Sequence, residues 1–138
     1  MATVYAVASA KGGVGKTTTT AAVATILADS GADVVAIDAD LGMANLAGAV
    51  GVTPGETTLH DVLADAARPV EAVHEGPAGL RVLPGTAALE AYAAADPSGL
   101  RAVVAAFDDA DYVFVDAGAG LSHDSTLPLG IADETLLV

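Results

Sequence analysis

Lys11-Gly12-Gly13-Val14-Gly15-Lys16-Thr17-Thr18 decides the fold of this chain through what stands on either side of it. Before it, Thr3 to Ser9 (TVYAVAS) is apolar and rich in β-formers. After it, Lys16 to Asp29 (KTTTTAAVATILAD) suits a helix, with Gly31 as its C-terminal stop. A glycine-rich turn between strand and helix lets backbone N–H groups face an anion with no Cβ in the way. The helix N-terminus adds partial positive charge at the same point. In such a loop Lys16 would reach the β- and γ-phosphates of a nucleotide, and the Thr17 hydroxyl would ligate Mg²⁺. Gly12, Gly13, Val14, Gly15, Lys16, Thr17 and Thr18 are therefore the expected phosphate-binding set. The bland alternative, a glycine-rich turn with no ligand, is set aside on the strand–loop–helix context.

Further along, Asp33 to Asp38 (DVVAID) reads as a second short buried strand. Strand, helix and strand at this spacing make a βαβ unit, which predicts an α/β fold with a mostly parallel sheet covered by helices. Short helices are expected over Met43 to Val50 and over Thr58 to Ala67, the latter capped by Thr57 or Thr58. Leu80 to Leu83 reads as a strand before the Pro84-Gly85 turn, and Ala87 to Ala94 and Pro97 to Phe107 read as helical. Tyr112 to Val115 is a third buried strand, and Thr135 to Val138 begins a further one. A parallel strand normally runs on into a loop and a covering helix, so a partial chain is expected, forming one domain over residues 1–138.

A chain of 138 residues fits one domain able to bury a real core. Hydrophobic residues make up 53%, yet no apolar run approaches the ~20 residues of a spanning helix. No basic region precedes an apolar stretch at the start, and there is no cysteine, so a cytoplasmic address is expected. Eighteen acids against five bases give a net charge of −13. That excess resembles proteins of salt-accumulating halophiles, the alternative being an acidic surface in an ordinary mesophile. It also argues against nucleic acid as a partner of this segment, since phosphate contacts need clustered cations. The two lysines, Lys11 and Lys16, both lie in the glycine-rich loop.

Three carboxylates are candidates to complete the site. Asp38 and Asp40 stand two apart at the end of the second strand, so both can face one side, at the carboxyl ends where open α/β sheets bind ligands. There they could hold Mg²⁺ through water and orient an attacking water; the competing reading is a cap on the next turn. Asp116 ends an apolar strand and is expected to hold Mg²⁺ through a water. Gly118 and Gly120 follow it in a flexible stretch suited to sensing a γ-phosphate. A dinucleotide fold would require G-x-G-x-x-G, and Thr18 stands where the third glycine belongs. Ser122, His123 and Asp124 in a row do not make a triad; Ser122 and Asp124 read as helix caps. His60 and His74 are isolated and read as surface or capping residues, and no His or Cys metal cluster is visible.

K-G-G-x-G-K-[ST] at Lys11 to Thr17 resembles the deviant Walker A motif of the MinD/ParA ATPases. The standard motif would have glycine where Ala10 stands, a position that varies in that family. The resemblance implies a P-loop NTPase three-layer sandwich that binds ATP or ADP with Mg²⁺ and forms a homodimer on ATP. It further implies that Lys11 reaches the partner's nucleotide, Asp40 positions the hydrolytic water and Asp38 supports the Mg²⁺ site. Asp38-Ala39-Asp40-Leu41-Gly42-Met43-Ala44-Asn45-Leu46 resembles the MinD branch, which includes flagellar placement ATPases. It lacks the D-P-Q-G-N of partition proteins and the D-x-Y-G-P-S of iron–sulfur carriers. Asn45 is then expected to contact nucleotide or partner, while Gly118 and Gly120 resemble switch II. An activating partner protein, a role in spatial positioning and peripheral attachment to the inner face of the cell membrane follow from the resemblance. A partition ATPase would need a basic surface for which Arg68, Arg81 and Arg101 are few, and a carrier would need a Cys-x-x-Cys beyond Val138.

Overall fold

The computed structural model describes residues 1–9, 15–86, 88–118 and 123–138. The apolar runs form β1 (Thr3–Ala8), β2 (Val34–Ala39), β3 (His74–Glu75), β4 (Arg81–Leu83), β5 (Tyr112–Ala117) and β6 (Glu134–Leu137). They make one sheet in the order β3-β4-β2-β5-β1-β6. All neighbours run parallel except β3 and β4. The helices are α1 (Lys16–Asp29), α2 (Leu46–Ala49), α3 (Leu59–Leu63), α4 (Leu89–Ala94), α5 (Leu100–Ala105) and α6 (His123–Ile131).

Strand alternation assigns the two cores. On β2, Val34 and Ala36 pack with Ala21, Ala24 and Ala28 of α1 and Leu46 of α2. Val35 and Ile37 point the other way, to Leu59 and Leu63 of α3 and Leu100, Val103 and Val104 of α5. Every residue of β2 is buried as a result, the mark of a strand covered on both faces. Burying each Val, Leu or Ile contributes roughly 1.5–3 kcal/mol. This is a three-layer α/β sandwich, with the mostly parallel, helix-covered sheet that the βαβ pattern predicts.

The register positions the carboxylates. Asp38 of β2 lies directly beside Asp116 of β5, and Asp116 lies beside Val7 of β1. The acid of β2 and the chain leaving β1 thus meet over the end of β5, although neither is next to it in sequence. Asp116 is inside β5 rather than after it, since the strand runs on to Ala117.

Several predicted elements are shorter in the structure. The helix expected over Thr58–Ala67 is α3 alone, ended by Asp65 in the left-handed region at φ 61°. The stretch expected as one helix from Pro97 opens with a 3₁₀ turn, Pro97–Gly99, whose first N–H, that of Ser98, donates to the Asp96 carboxylate at 3.0 Å. The helix expected from Met43 starts only at Leu46, because Asp40 takes the N–H of Met43 and Asp38 of the sheet takes that of Leu46, which holds the residues between in a loop. β3 is not legible locally: two residues become a strand only by pairing with β4.

Candidate functional site

α1 brings the first cluster together. Gly15 precedes it at φ 92°, a left-handed conformation that only glycine adopts without strain. This turn aims Lys16, the first helical residue, back across the end of the sheet. Lys16 Nζ donates to Asp116 Oδ1 at 2.5 Å, with the two side chains 7% and 0% exposed. Thr17 Oγ1 donates to Asp116 Oδ2 at 2.7 Å, and Thr20 Oγ1 is 3.2 Å from Asp116 Oδ1. Thr20 shares a helix face with Lys16 and Thr17, and that i,i+3/i+4 spacing is the signal by which it could have been found in the sequence.

A second cluster forms at the end of β2. Asp38, 1% exposed, accepts the backbone N–H of Asp40 at 3.2 Å and of Leu46 at 2.9 Å. Asp40 is half-buried and accepts from Met43 N at 3.2 Å. Asn45 joins the clusters: its Oδ1 lies 3.2 Å from Thr17 Oγ1. The Thr17 hydroxyl has one proton for two acceptors, Asp116 and Asn45.

Burial sets the electrostatics. Desolvation pushes the Asp38 carboxyl up to about 7, opposed by the Leu46 and Asp40 N–H groups and reinforced by the charges of Asp116 and Asp40. Asp40 is also raised, by desolvation first, with the Lys16 charge pulling the other way.

The arrangement can do defined chemistry. A threonine hydroxyl, a carboxylate and an amide oxygen converge around Thr17, which is a hard-oxygen donor set of the kind Mg²⁺ takes. A buried lysine beside them suits a phosphate oxygen. Among the described residues no group of three His, Cys, Asp or Glu stands as a ready-made metal cage.

The sequence-predicted residues fall into three groups. Lys16, Thr17, Asp116 and Asn45 are brought into contact, and Asp38 and Asp40 lie at the same sheet end. Gly15 leads into this cluster, Gly118 is buried after β5, and Thr18 is exposed on α1. Lys11, Gly12, Gly13, Val14 and Gly120 lie outside the described residues, as do Ala10 and Ser122.

Sequence reasoning missed His60. It is not at the surface but 1% exposed, with Nε2 2.8 Å from Leu41 O and Nδ1 accepting from Thr86 N at 3.2 Å. His74 is only partly buried: Nε2 accepts from Gly55 N at 3.0 Å, and Nδ1 lies 2.9 Å from Ala72 O.

Comparison with known proteins places this geometry. An uncharacterized ATP-binding protein of Methanocaldococcus jannaschii is 43% identical over 136 residues, spanning 98% of this chain and 52% of its own length. The antiactivator FleN of Pseudomonas aeruginosa is 35% identical, over 98% of this chain and 49% of its own. The chain spans about half the length of the curated relatives it matches. Among solved structures, the cell division ATPase MinD of Pyrococcus furiosus superposes with a TM-score of 0.95 at 39% identity, covering 100% of this chain and 59% of that one. The septum site-determining protein MinD of Pyrococcus horikoshii, solved with Mg-ADP, gives 0.94 at 35% identity, covering 100% and 58%. The family model of the CobQ/CobB/MinD/ParA nucleotide binding domain matches residues 5–121. With residues 5–121 matched by that model and the fold shared with MinD, the chain belongs to the CobQ/CobB/MinD/ParA nucleotide-binding family.

Proposed function

We propose that this chain is the nucleotide-binding part of an ATPase that takes ATP or ADP with Mg²⁺, hydrolyses ATP, and closes as a homodimer when ATP is bound. The cycle serves to place a structure within the cell, such as a division site, motility apparatus or sensory array. An activating partner protein and peripheral attachment to the inner face of the cell membrane belong to the same reading. The observation that carries it is the meeting of Lys16 and Thr17 on Asp116 at the carboxyl end of a parallel sheet. The names of its relatives, a cell division ATPase and a septum site-determining protein bound to Mg-ADP, support the nucleotide and the spatial role.

The residues divide the work as follows. Lys16 exchanges Asp116 for the phosphates, which moves its charge onto the nucleotide. Asp116 is then a fully buried carboxylate without its cation, a condition costing about 3–5 kcal/mol unless another cation replaces it. Mg²⁺, when bound, supplies that charge and neutralises the phosphoryl group in transfer. Thr17 would hold it directly and Asp116 through a water, with Asp38 beside Asp116 as support. Asp40 orients the attacking water, and its raised pKa makes it the better proton acceptor. Lys11 reaches the nucleotide of the second subunit, Asn45 contacts nucleotide or partner, and Gly118 and Gly120 allow the loop after β5 to rearrange on hydrolysis.

Titration with a fluorescent ADP analogue and light scattering test this. Binding is expected with Mg²⁺ and to weaken by roughly 100-fold in chelator, the factor equivalent to about 3 kcal/mol. Lys16→Ala should abolish binding, whereas Lys11→Ala should bind yet fail to dimerise with ATP. Equal ATPase activity in either variant and the wild type would refute the assignment. Imaging a fluorescent fusion decides the spatial role. Polar or membrane patches that disperse in Lys16→Ala support it, and a diffuse signal in both proteins sinks it.

A further inference from the structure

We propose that His60 is a positioning residue: it clamps the Asp40–Asn45 loop to the loop after β4, and so sets where Asp40 and Asn45 stand relative to Thr17. This rests on the nucleotide reading for its consequence in turnover, though the clamp itself is a matter of geometry. Thr86 N donates to His60 Nδ1 at 3.2 Å, so that nitrogen carries no proton. The proton is on Nε2, which donates to Leu41 O at 2.8 Å. The ring, 1% exposed, therefore bridges two loops that are far apart in the chain.

The two loops also touch directly. A Cβ added at Gly85 would come 2.7 Å from the Ala44 Cβ and 3.1 Å from His60 Cε1, so this close approach requires glycine. α3 is pinned in turn, with Leu59 N donating to Pro84 O at 2.8 Å and Asp61 accepting from Thr58 N at 2.8 Å. The Asp40–Asn45 loop thus has two anchors. Asp38 holds it from the sheet through Asp40 N and Leu46 N, and His60 holds it from α3 through Leu41 O. Without the second anchor, the loop carrying Asp40 and Asn45 can pivot about Asp38.

Hydrogen exchange and kinetics on His60→Leu and His60→Gln test the clamp. His60→Leu leaves Leu41 O and Thr86 N without their partner. Exchange over residues 41–46 should quicken about tenfold, the factor matching one such lost bond, while α1 stays within about twofold. ATP turnover should fall by a similar factor with KM changed little, and His60→Gln, which keeps a donor for Leu41 O, should recover most of both. If His60→Leu fails to fold, Gly85→Ala tests the same contact. It should quicken exchange selectively over 41–46, and adding Ala44→Gly should relieve it. Unchanged exchange over 41–46, or acceleration spread equally over α1, overturns the clamp. A wild type that neither binds nor hydrolyses nucleotide defeats the function proposed above, while the exchange result still decides the clamp.

Discussion

Asp116 and Asp38 sit side by side in the sheet but have different partners. Asp116 accepts from a lysine and a threonine hydroxyl, with a second hydroxyl in reach, which keeps its charge tolerable at 0% exposure. Among the described residues Asp38 has only backbone donors, and burial pushes it from 3.8 up to about 7. A carboxyl raised in the folded state contributes its full stability below the unfolded value and loses it as pH rises through the folded one. Without nucleotide, wild-type stability should therefore decline relative to Asp38→Asn between pH 3.8 and about 7. The decline should be of the order of a few kcal/mol. Urea unfolding across that window measures it, and a difference independent of pH would contradict the assigned cause. Lys16, Thr17 and Asp116 were legible in the sequence because their residue types stand at fixed offsets from glycines or a strand end. His60 was not, since both its partners come from other loops.

At the scale of elements, α1 is the clearest case of local encoding. Its predicted bounds, Lys16 to Asp29, are those observed, and the stop at Gly31 closes it with two bonds. Ala32 N donates to Leu27 O at 3.2 Å and Gly31 N to Ala28 O at 3.0 Å, the Schellman pattern, with Gly31 at φ 101°. Gly31→Ala should cost about 1 kcal/mol in chemical denaturation, with nucleotide affinity unchanged because the strain lies at the far end of the helix. Affinity lost in step with stability would show that α1 transmits the strain to Lys16. The short helices α2 and α3 were less legible. Their ends are set by Asp38 on Leu46 N and by the left-handed Asp65, neither of which alters the apolar pattern.

Over the whole molecule, part of the acidic excess has a structural task. At the end of the sheet opposite the candidate site, Asp108, Asp111 and Asp133 accept backbone N–H groups of Ala2, Asp33 and Val4. Arg81 answers some of that charge: it meets both oxygens of Asp33 at 3.0 and 3.1 Å and stands over Phe107 at 5.7 Å. The net charge of −13, which already counts every Lys and Arg, is left to repel itself. Raising KCl from about 0.1 M to 1 M shortens the Debye length from roughly 10 to 3 Å, so the melting temperature should rise by several degrees. A melting temperature indifferent to salt would count against the halophilic reading. Among the described residues no helix is long and apolar enough to cross a membrane.

The sequence by itself determined the fold class, through local periodicity, and the family, through the resemblance of its glycine-rich motif. The placing of Asp116 near the carboxyl end of an apolar strand was legible in the same local pattern. Only the tertiary structure decided which groups meet. Lys16 reaches a carboxylate 100 residues away. Asp38 and Asp116 become neighbours because β5 inserts between β2 and β1, and His60 finds its two partners across three segments. Strand neighbours and buried contacts of this kind follow from covering both faces of one sheet, a condition on the whole chain that no short stretch contains.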